Sequence, residues 1–298
     1  MYPSTAWCLA LIGITALWGW SFVAIHDALS TLTASSFNAL RFLSGTIAMV
    51  IFIPRLKALS LKEVGNGVFA GAVLFLAFTF QTSGLNYTSA SNASFITGLA
   101  ILFTPLFAFL FLKLRPSKQQ LLGGLTATAG LALLTLKGLS IHLGDLLVLI
   151  CAAFTALHIV TLYVISKRTD TAALAFLQIS TVAILSLIWS VSAGEFKLPK
   201  SLSVTYSILI IGIVGTALAF FIQTKAQTTA SPSTIALILV LEPVFGGIFG
   251  YFLGGDRLST INMAGALLII TGMIISETGL KIKTIGKFHD PQSKRPQQ

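Results

Sequence analysis

Residues 76–82 read Leu-Ala-Phe-Thr-Phe-Gln-Thr, and residues 218–224 read Leu-Ala-Phe-Phe-Ile-Gln-Thr. The same shift of 142 positions sets Arg115 on Arg257, Ser117 on Ser259, Gly123 on Gly265, Leu125 on Leu267 and Gly130 on Gly272. A block of this length recurring with its flanking matches is an internal repeat, and it decides the fold. One departure is visible: Pro105 and Pro243 are 138 positions apart, about one helical turn out of step.

Both blocks lie in apolar runs. Working outward, ten such runs reach the roughly 20 residues that a helix needs to cross hydrocarbon about 30 Å thick. They cover 5–25, 34–53, 64–83, 90–112, 119–136, 145–166, 171–191, 203–222, 230–253 and 259–277. The first run has no Lys or Arg ahead of it and reaches full spanning length, so it reads as a retained helix, not a cleaved signal. The predicted fold is all-α and integral to the membrane, with ten transmembrane helices in two five-helix repeats, residues 1–140 and 141–279. Five is odd, so the second copy enters the membrane from the opposite side. Residues 280–298, rich in Lys, Gln, Ser and Pro, cannot bury a core and read as a disordered basic tail.

Composition agrees. A soluble chain carries about a quarter charged residues. Here 298 residues include 19 Lys+Arg and 9 Asp+Glu, or 9% charged, against 55% hydrophobic. The mean hydropathy is +0.90. A soluble enzyme, a disordered chain and a disulfide-stapled domain are excluded. The net charge of +10 would suggest nucleic acid in a soluble domain, but in a membrane protein it first sets orientation. Arg55, Lys57, Lys62, Lys113, Arg115, Lys118, Lys167, Arg168, Lys225 and the tail's Lys281, Lys283, Lys287, Lys294 and Arg295 fall on one side. Lys137, Lys197, Lys200 and Arg257 fall on the other. The richer side is cytoplasmic, with both termini on it, in a multi-pass protein of the inner (cytoplasmic) membrane. No nucleic-acid partner is expected; the partners are lipid and a small-molecule substrate. Cys8 and Cys151 sit in apolar runs with no metal spacing and read as small buried residues.

Inverted repeats are a signature of secondary transporters, whose two halves rock around a midplane site. The chain from about residue 7 to 278 also resembles the drug/metabolite transporter superfamily, in its ten-helix EamA-type branch. The resemblance is carried by Trp18-Gly19 with Ser21-Phe22, Arg41-Phe42, Tyr87 to Ala93, Thr104-Pro105, Leu241-Glu242-Pro243 and Gly255-Asp256-Arg257-Leu258. It implies a carrier, more often an exporter than an importer, of amino acids and related metabolites, and the chain is expected to act as a monomer. Some members of the family resemble exporters of aromatic amino acids and quaternary ammonium dyes, so cations, nucleosides and sugar derivatives stay open as cargo.

Polar residues inside spans are the candidate site. Arg41 is the one basic residue well inside a span, where a charge costs at least about 2.5 kcal/mol and must face a partner or a wet cavity. Two roles are open to it: drawing a substrate carboxylate or holding a gate, and a lock tied to helix-end carbonyls or Asn38. Glu242 is the sole carboxylate well inside a span. It is either a protonation site for coupled export or a brace for the kink at Pro243. Pro105 and Pro243 are the expected helix breaks and gates, since proline removes a backbone donor and disturbs the residue before it. Gln81 and Gln223, at matching places, suit either a polar ligand or a bridge between helices. Asn92, Thr97 and Gln178 are weaker versions of the same case. Trp18, Trp20, Phe75, Phe78 and Tyr163 can form an aromatic wall or simply pack. His158 can relay protons or pack as a neutral imidazole. Gly246, Gly250 and Gly254 form a ridge for close helix approach within the monomer.

The expected lining spans are the first, third, fourth, sixth, eighth and ninth, with Arg41 from the second and Gln178 from the seventh. No cofactor or metal is expected. A membrane-embedded enzyme is the rival class, but the other carboxylates lie at span ends or in loops and no histidine pair is spaced for zinc. With few titratable groups inside the spans, facilitated exchange is favoured over proton coupling.

Overall fold

A computed structural model describes residues 3–50, 59–88, 90–135, 142–253 and 260–284, apart from some side chains within them. Every regular element among these residues is helical. The elements are α1 (Pro3–Ala28), α2 (Ala34–Val50), α3 (Leu61–Gly84), α4 (Ala90–Gly98), α5 (Ala100–Leu112), α6 (Lys118–Thr135), α7 (Leu143–Ile165) and α8 (Thr171–Ser192). Then come α9 (Leu202–Gly212), a π-helical segment (Ile213–Leu218), α10 (Ala219–Gln227), α11 (Pro232–Leu239), α12 (Leu241–Leu253) and α13 (Thr260–Thr284).

Among the described residues, six segments are long and apolar enough to cross a membrane: α1, α3, α7, α8, the α9–α10 unit and the α11–α12 unit. Ile96–Leu112 and Met263–Gly272 are shorter apolar helices. The outer faces suit lipid and not water, with Leu125, Ile184, Ile188 and Leu267 well exposed. Helix starts are fixed by short polar caps. Ser60 and Glu63 cap α3 reciprocally, Asp170 accepts from the amides of Ala172 and Ala173, and Ser231 accepts from Thr234 with Pro232 in the first turn of α11.

Two helical units are broken. α4 gives way to α5 at Leu99, and α11 to α12 at Val240. The prolines predicted as the breaks do not sit at them. α5 runs through Pro105, and the Thr104 hydroxyl donates to the Ala100 carbonyl at 2.8 Å. Pro243 falls in the first turn of α12, where an N–H has no intrahelical partner to lose.

α6 packs along α13, α3 against α7 and α8, α2 against α8, α1 against α12, and α5 against α7. The α6–α13 contact is backbone to backbone. A β-carbon at Gly130 would stand 2.5 Å from the Gly265 oxygen, and one at Gly272 would stand 2.5 Å from the Gly123 oxygen. The ridge glycine Gly246 lies within the chain against α1, where a β-carbon on Gly19 would come 2.6 Å from the Gly246 nitrogen. Gly254, Arg55, Lys57, Lys137, the motif 255–258 and residues 285–298 lie outside the described residues. α13 stays helical to Thr284, five residues into the stretch expected to be a disordered tail.

Candidate functional site

A cavity of about 60 Å³ opens where the broken units meet the middle of the long helices. Trp18 and Ser21 reach it from α1, Arg41 from α2, and Leu74, Ala77, Phe78 and Gln81 from α3. Thr97 comes from the end of α4, and Cys151, Thr155 and His158 from α7. Phe220 and Gln223 on α10, Leu239 on α11 and Glu242 on α12 close it. The expected lining spans all contribute.

Arg41 is 1% exposed. Its Nε donates to Thr216 Oγ1 at 2.9 Å, and its guanidinium stands over the rings of Phe78 at 4.6 Å and Phe42 at 5.2 Å. Thr216 in turn donates to the Ile211 carbonyl, five residues back, at 2.9 Å. That i−5 reach belongs to the π-helical segment, where the wide turn sets carbonyls off the α-helical ladder. Trp18 reads the same segment, its Nε1 donating to the Gly215 carbonyl at 2.7 Å. Among the described residues Arg41 is thus held by a hydroxyl and two ring faces, and by neither helix-end carbonyls nor Asn38. Asn38 instead donates to the Phe78 carbonyl at 3.2 Å and accepts from Thr82 at 3.0 Å.

Glu242 is half-buried, opens on the cavity and makes no hydrogen bond to a described residue. It shares the cavity wall with Arg41, and no salt bridge joins the two. The cavity therefore presents a guanidinium and a carboxyl group to a common space.

Gln81 Nε2 approaches Thr97 Oγ1 at 3.4 Å, while Gln223, 2% exposed, faces the cavity from the opposite half. His158 binds Gln178 at 2.7 Å, and Gln178 donates to Thr224 at 2.9 Å. Gln178 is wholly buried and sits behind His158 instead of on the cavity wall.

The other predicted residues fall elsewhere. Trp20 packs with the apolar cluster of Phe22, Ile25 and Phe37, so its side of α1 faces away from the cavity. Phe75 lies edge-on to Trp189 at 6.5 Å, and Tyr163 lies under Lys167 Nζ at 3.6 Å. Pro105 lines a separate apolar pocket between α5, α6 and α11. Asn92 is on α4, with its side chain outside the described residues. Phe220, Cys151 and Thr155 had not been expected. Phe220 is the repeat counterpart of Phe78, and positions 151, 155 and 158 share one helical face, so both signals were available. Among the described residues, no group of three His, Cys, Asp or Glu could hold a metal ion.

Comparison with known proteins bears on this geometry. The EamA-like transporter family matches residues 5–136 and again 142–278. The chain is similar to an uncharacterized transporter of Archaeoglobus fulgidus, 33% identical over 268 residues, covering 90% of this chain and 84% of that one. A probable amino-acid metabolite efflux pump of Escherichia coli is 25% identical over 287 residues, covering 92% and 95%. Its counterpart in Salmonella typhimurium is 26% identical, with the same coverage. A crystal structure superposes with a TM-score of 0.74 at 19% identity, covering 93% of this chain and 98% of that one, a likeness of fold alone.

Proposed function

The chain belongs to the EamA-like transporter family, and from that premise we propose that it carries amino acids or related amphipathic metabolites outward across the cytoplasmic membrane by alternating access. The observation that carries the reading is an unbridged pair at the cavity, the Arg41 guanidinium on one wall and the Glu242 carboxyl group on another. A zwitterion fits this arrangement, its carboxylate on the guanidinium and its ammonium toward Glu242. Trp18, Phe78 and Phe220 give the remainder of the molecule an apolar wall. The relatives named as probable amino-acid metabolite efflux pumps support both the substrate class and the direction.

In this reading ten helices form two inverted five-helix halves. The 142-residue shift exchanges Gly123 with Gly265 and Gly130 with Gly272, so it turns the Gly130–Gly265 contact into the Gly272–Gly123 contact. A two-fold relation predicts that exchange. The two separate family matches support it as well. Ligand sites span roughly 300–1,000 Å³, so a cavity of about 60 Å³ admits substrate only when the halves part. The binding set is Trp18, Arg41, Phe78, Gln81, Thr97, His158, Gln223 and Glu242. The Lys and Arg distribution supports a cytoplasmic location for both termini.

Counterflow in proteoliposomes tests this. Vesicles preloaded with unlabelled leucine should accumulate labelled leucine in excess of equilibrium, and Arg41→Ala, folded by size-exclusion chromatography, should abolish it. Failure of every amino acid in vesicles that are otherwise intact would overturn the substrate class. Uptake that stays linear with concentration would indicate a pore instead of a carrier.

A further inference from the structure

His158 has two ring nitrogens, and the residues behind it decide which one carries the proton. The chain of bonds starts at a backbone carbonyl. Thr224 donates its single hydroxyl proton to the Phe220 carbonyl at 2.6 Å. Its oxygen can then only accept from Gln178, so the Gln178 amide nitrogen points at Thr224, at 2.9 Å. The Gln178 oxygen is left facing His158 Nε2 at 2.7 Å, and an amide oxygen can only accept. Nε2 therefore carries the hydrogen, and Nδ1 of the neutral ring is a bare acceptor. Among the described residues Nδ1 has no hydrogen-bond partner, while His158 lines the cavity beside Phe220, edge-on at 6.0 Å.

We propose that Thr224 and Gln178 hold His158 in the Nε2–H form so that Nδ1 accepts a hydrogen bond from the donor end of the transported molecule. His158 is then a specificity residue, and Gln178 and Thr224 are positioning residues that act through it. The inference deepens the carrier reading and rests on it: Arg41 takes the acceptor end of the substrate, whereas His158 and Glu242 take the donor end. A molecule of the same shape that lacks the amine would leave Nδ1 facing nothing, which costs a site of this kind about ten- to a hundredfold in affinity.

Two measurements test it on the full-length protein in lipid nanodiscs and proteoliposomes. The first is ¹⁵N NMR of the protein with labelled imidazoles, the His158 signals being identified by their loss in His158→Gln. A protonated Nε2 with an unprotonated Nδ1 is expected, and Thr224→Val should mix the two forms. A protonated Nδ1 in the unaltered protein would overturn the proposal, whatever the transport result. The second is inhibition of leucine counterflow by unlabelled leucine and by 4-methylpentanoate, the same skeleton without its amine. Leucine should inhibit about ten- to a hundredfold better, and Gln178→Leu and Thr224→Val should shrink that ratio while leaving the Arg41-dependent carboxylate requirement in place. An unchanged ratio in variants with a mixed tautomer would overturn the donor role. If leucine is not carried at all, the amino-acid reading fails, and the NMR result alone decides the tautomer.

Discussion

The stretch Gly71–Leu76 of α3 is regular α-helix, and its counterpart 142 residues on, Ile213–Leu218, is π-helical. The neighbours differ in the same way. Arg41 donates to Thr216 in the second stretch. The positions matching Arg41 and Thr216 in the other half are Ala183 and Leu74, both buried in one apolar cluster. On one side of the proposed two-fold, a charge rests on a widened turn. On the other, aliphatic side chains rest on an ordinary helix. Under the proposed two-fold the scaffold would repeat while the chemistry does not, and the cavity's guanidinium is built from that difference. A π-segment inside a helix is frequently a functional feature, and here it supplies both the Arg41 and the Trp18 partners.

A second pair of regions differs in the same sense. In each half an amide holds the threonine of the repeated block: Asn38 holds Thr82, and Gln178 holds Thr224. The first amide spends its other end on the Phe78 backbone, whereas the second reaches His158 on the cavity.

Substitutions test each of these differences. The largest effect should come from the symmetric contact itself. Gly130→Leu and Gly272→Leu each push a side chain into a backbone oxygen and should cost about 3 kcal/mol or more, seen as loss of monodisperse protein in detergent. The two should be alike; a large difference would speak against the two-fold. Next, Thr216→Val leaves the Arg41 Nε without its partner and should cost about 1–3 kcal/mol in thermal unfolding. The volume-conserving Leu74→Met on the other side should cost less than about 1.5 kcal/mol. If Leu74→Met is the more harmful, the π-segment is not what holds Arg41. The smallest effects belong to the two threonines of the repeated blocks. Thr82→Val and Thr224→Val should each lose about 1 kcal/mol of stability, but only Thr224→Val should alter selectivity in counterflow.

The sequence made the membrane class legible through nine acidic and nineteen basic residues in 298, and its Leu-Ala-Phe and Gln-Thr matches are what the proposed two-fold rests on. Arg41, Phe78, Gln81, Gln223 and Glu242 stood out because a polar or aromatic residue inside an apolar run is rare or recurs at a matched place. Helical phase was less legible. Trp20 and Tyr163 lie in the same runs as Trp18 and His158 but face elsewhere, and within an apolar run no polar face marks which side points inward. The breaks at Leu99 and Val240 were not legible either. Proline marks where a donor is missing, and a bilayer helix can absorb that loss through hydroxyls and neighbouring helices, while the backbone turns nearby at an unremarkable Leu or Val. Thr216 carried no signal of its own, because its role exists only once α2 packs against the π-segment.

In the proposed carrier this cavity faces each side of the membrane in turn, and Cys151 on its wall can report that directly. With Cys8→Ala removing the other cysteine, a membrane-impermeant thiol reagent is applied to right-side-out and to inverted vesicles, with and without leucine. Alternating access predicts slow alkylation of Cys151 from both faces and protection by leucine on both. Alkylation from one face alone, unaffected by leucine, would contradict it.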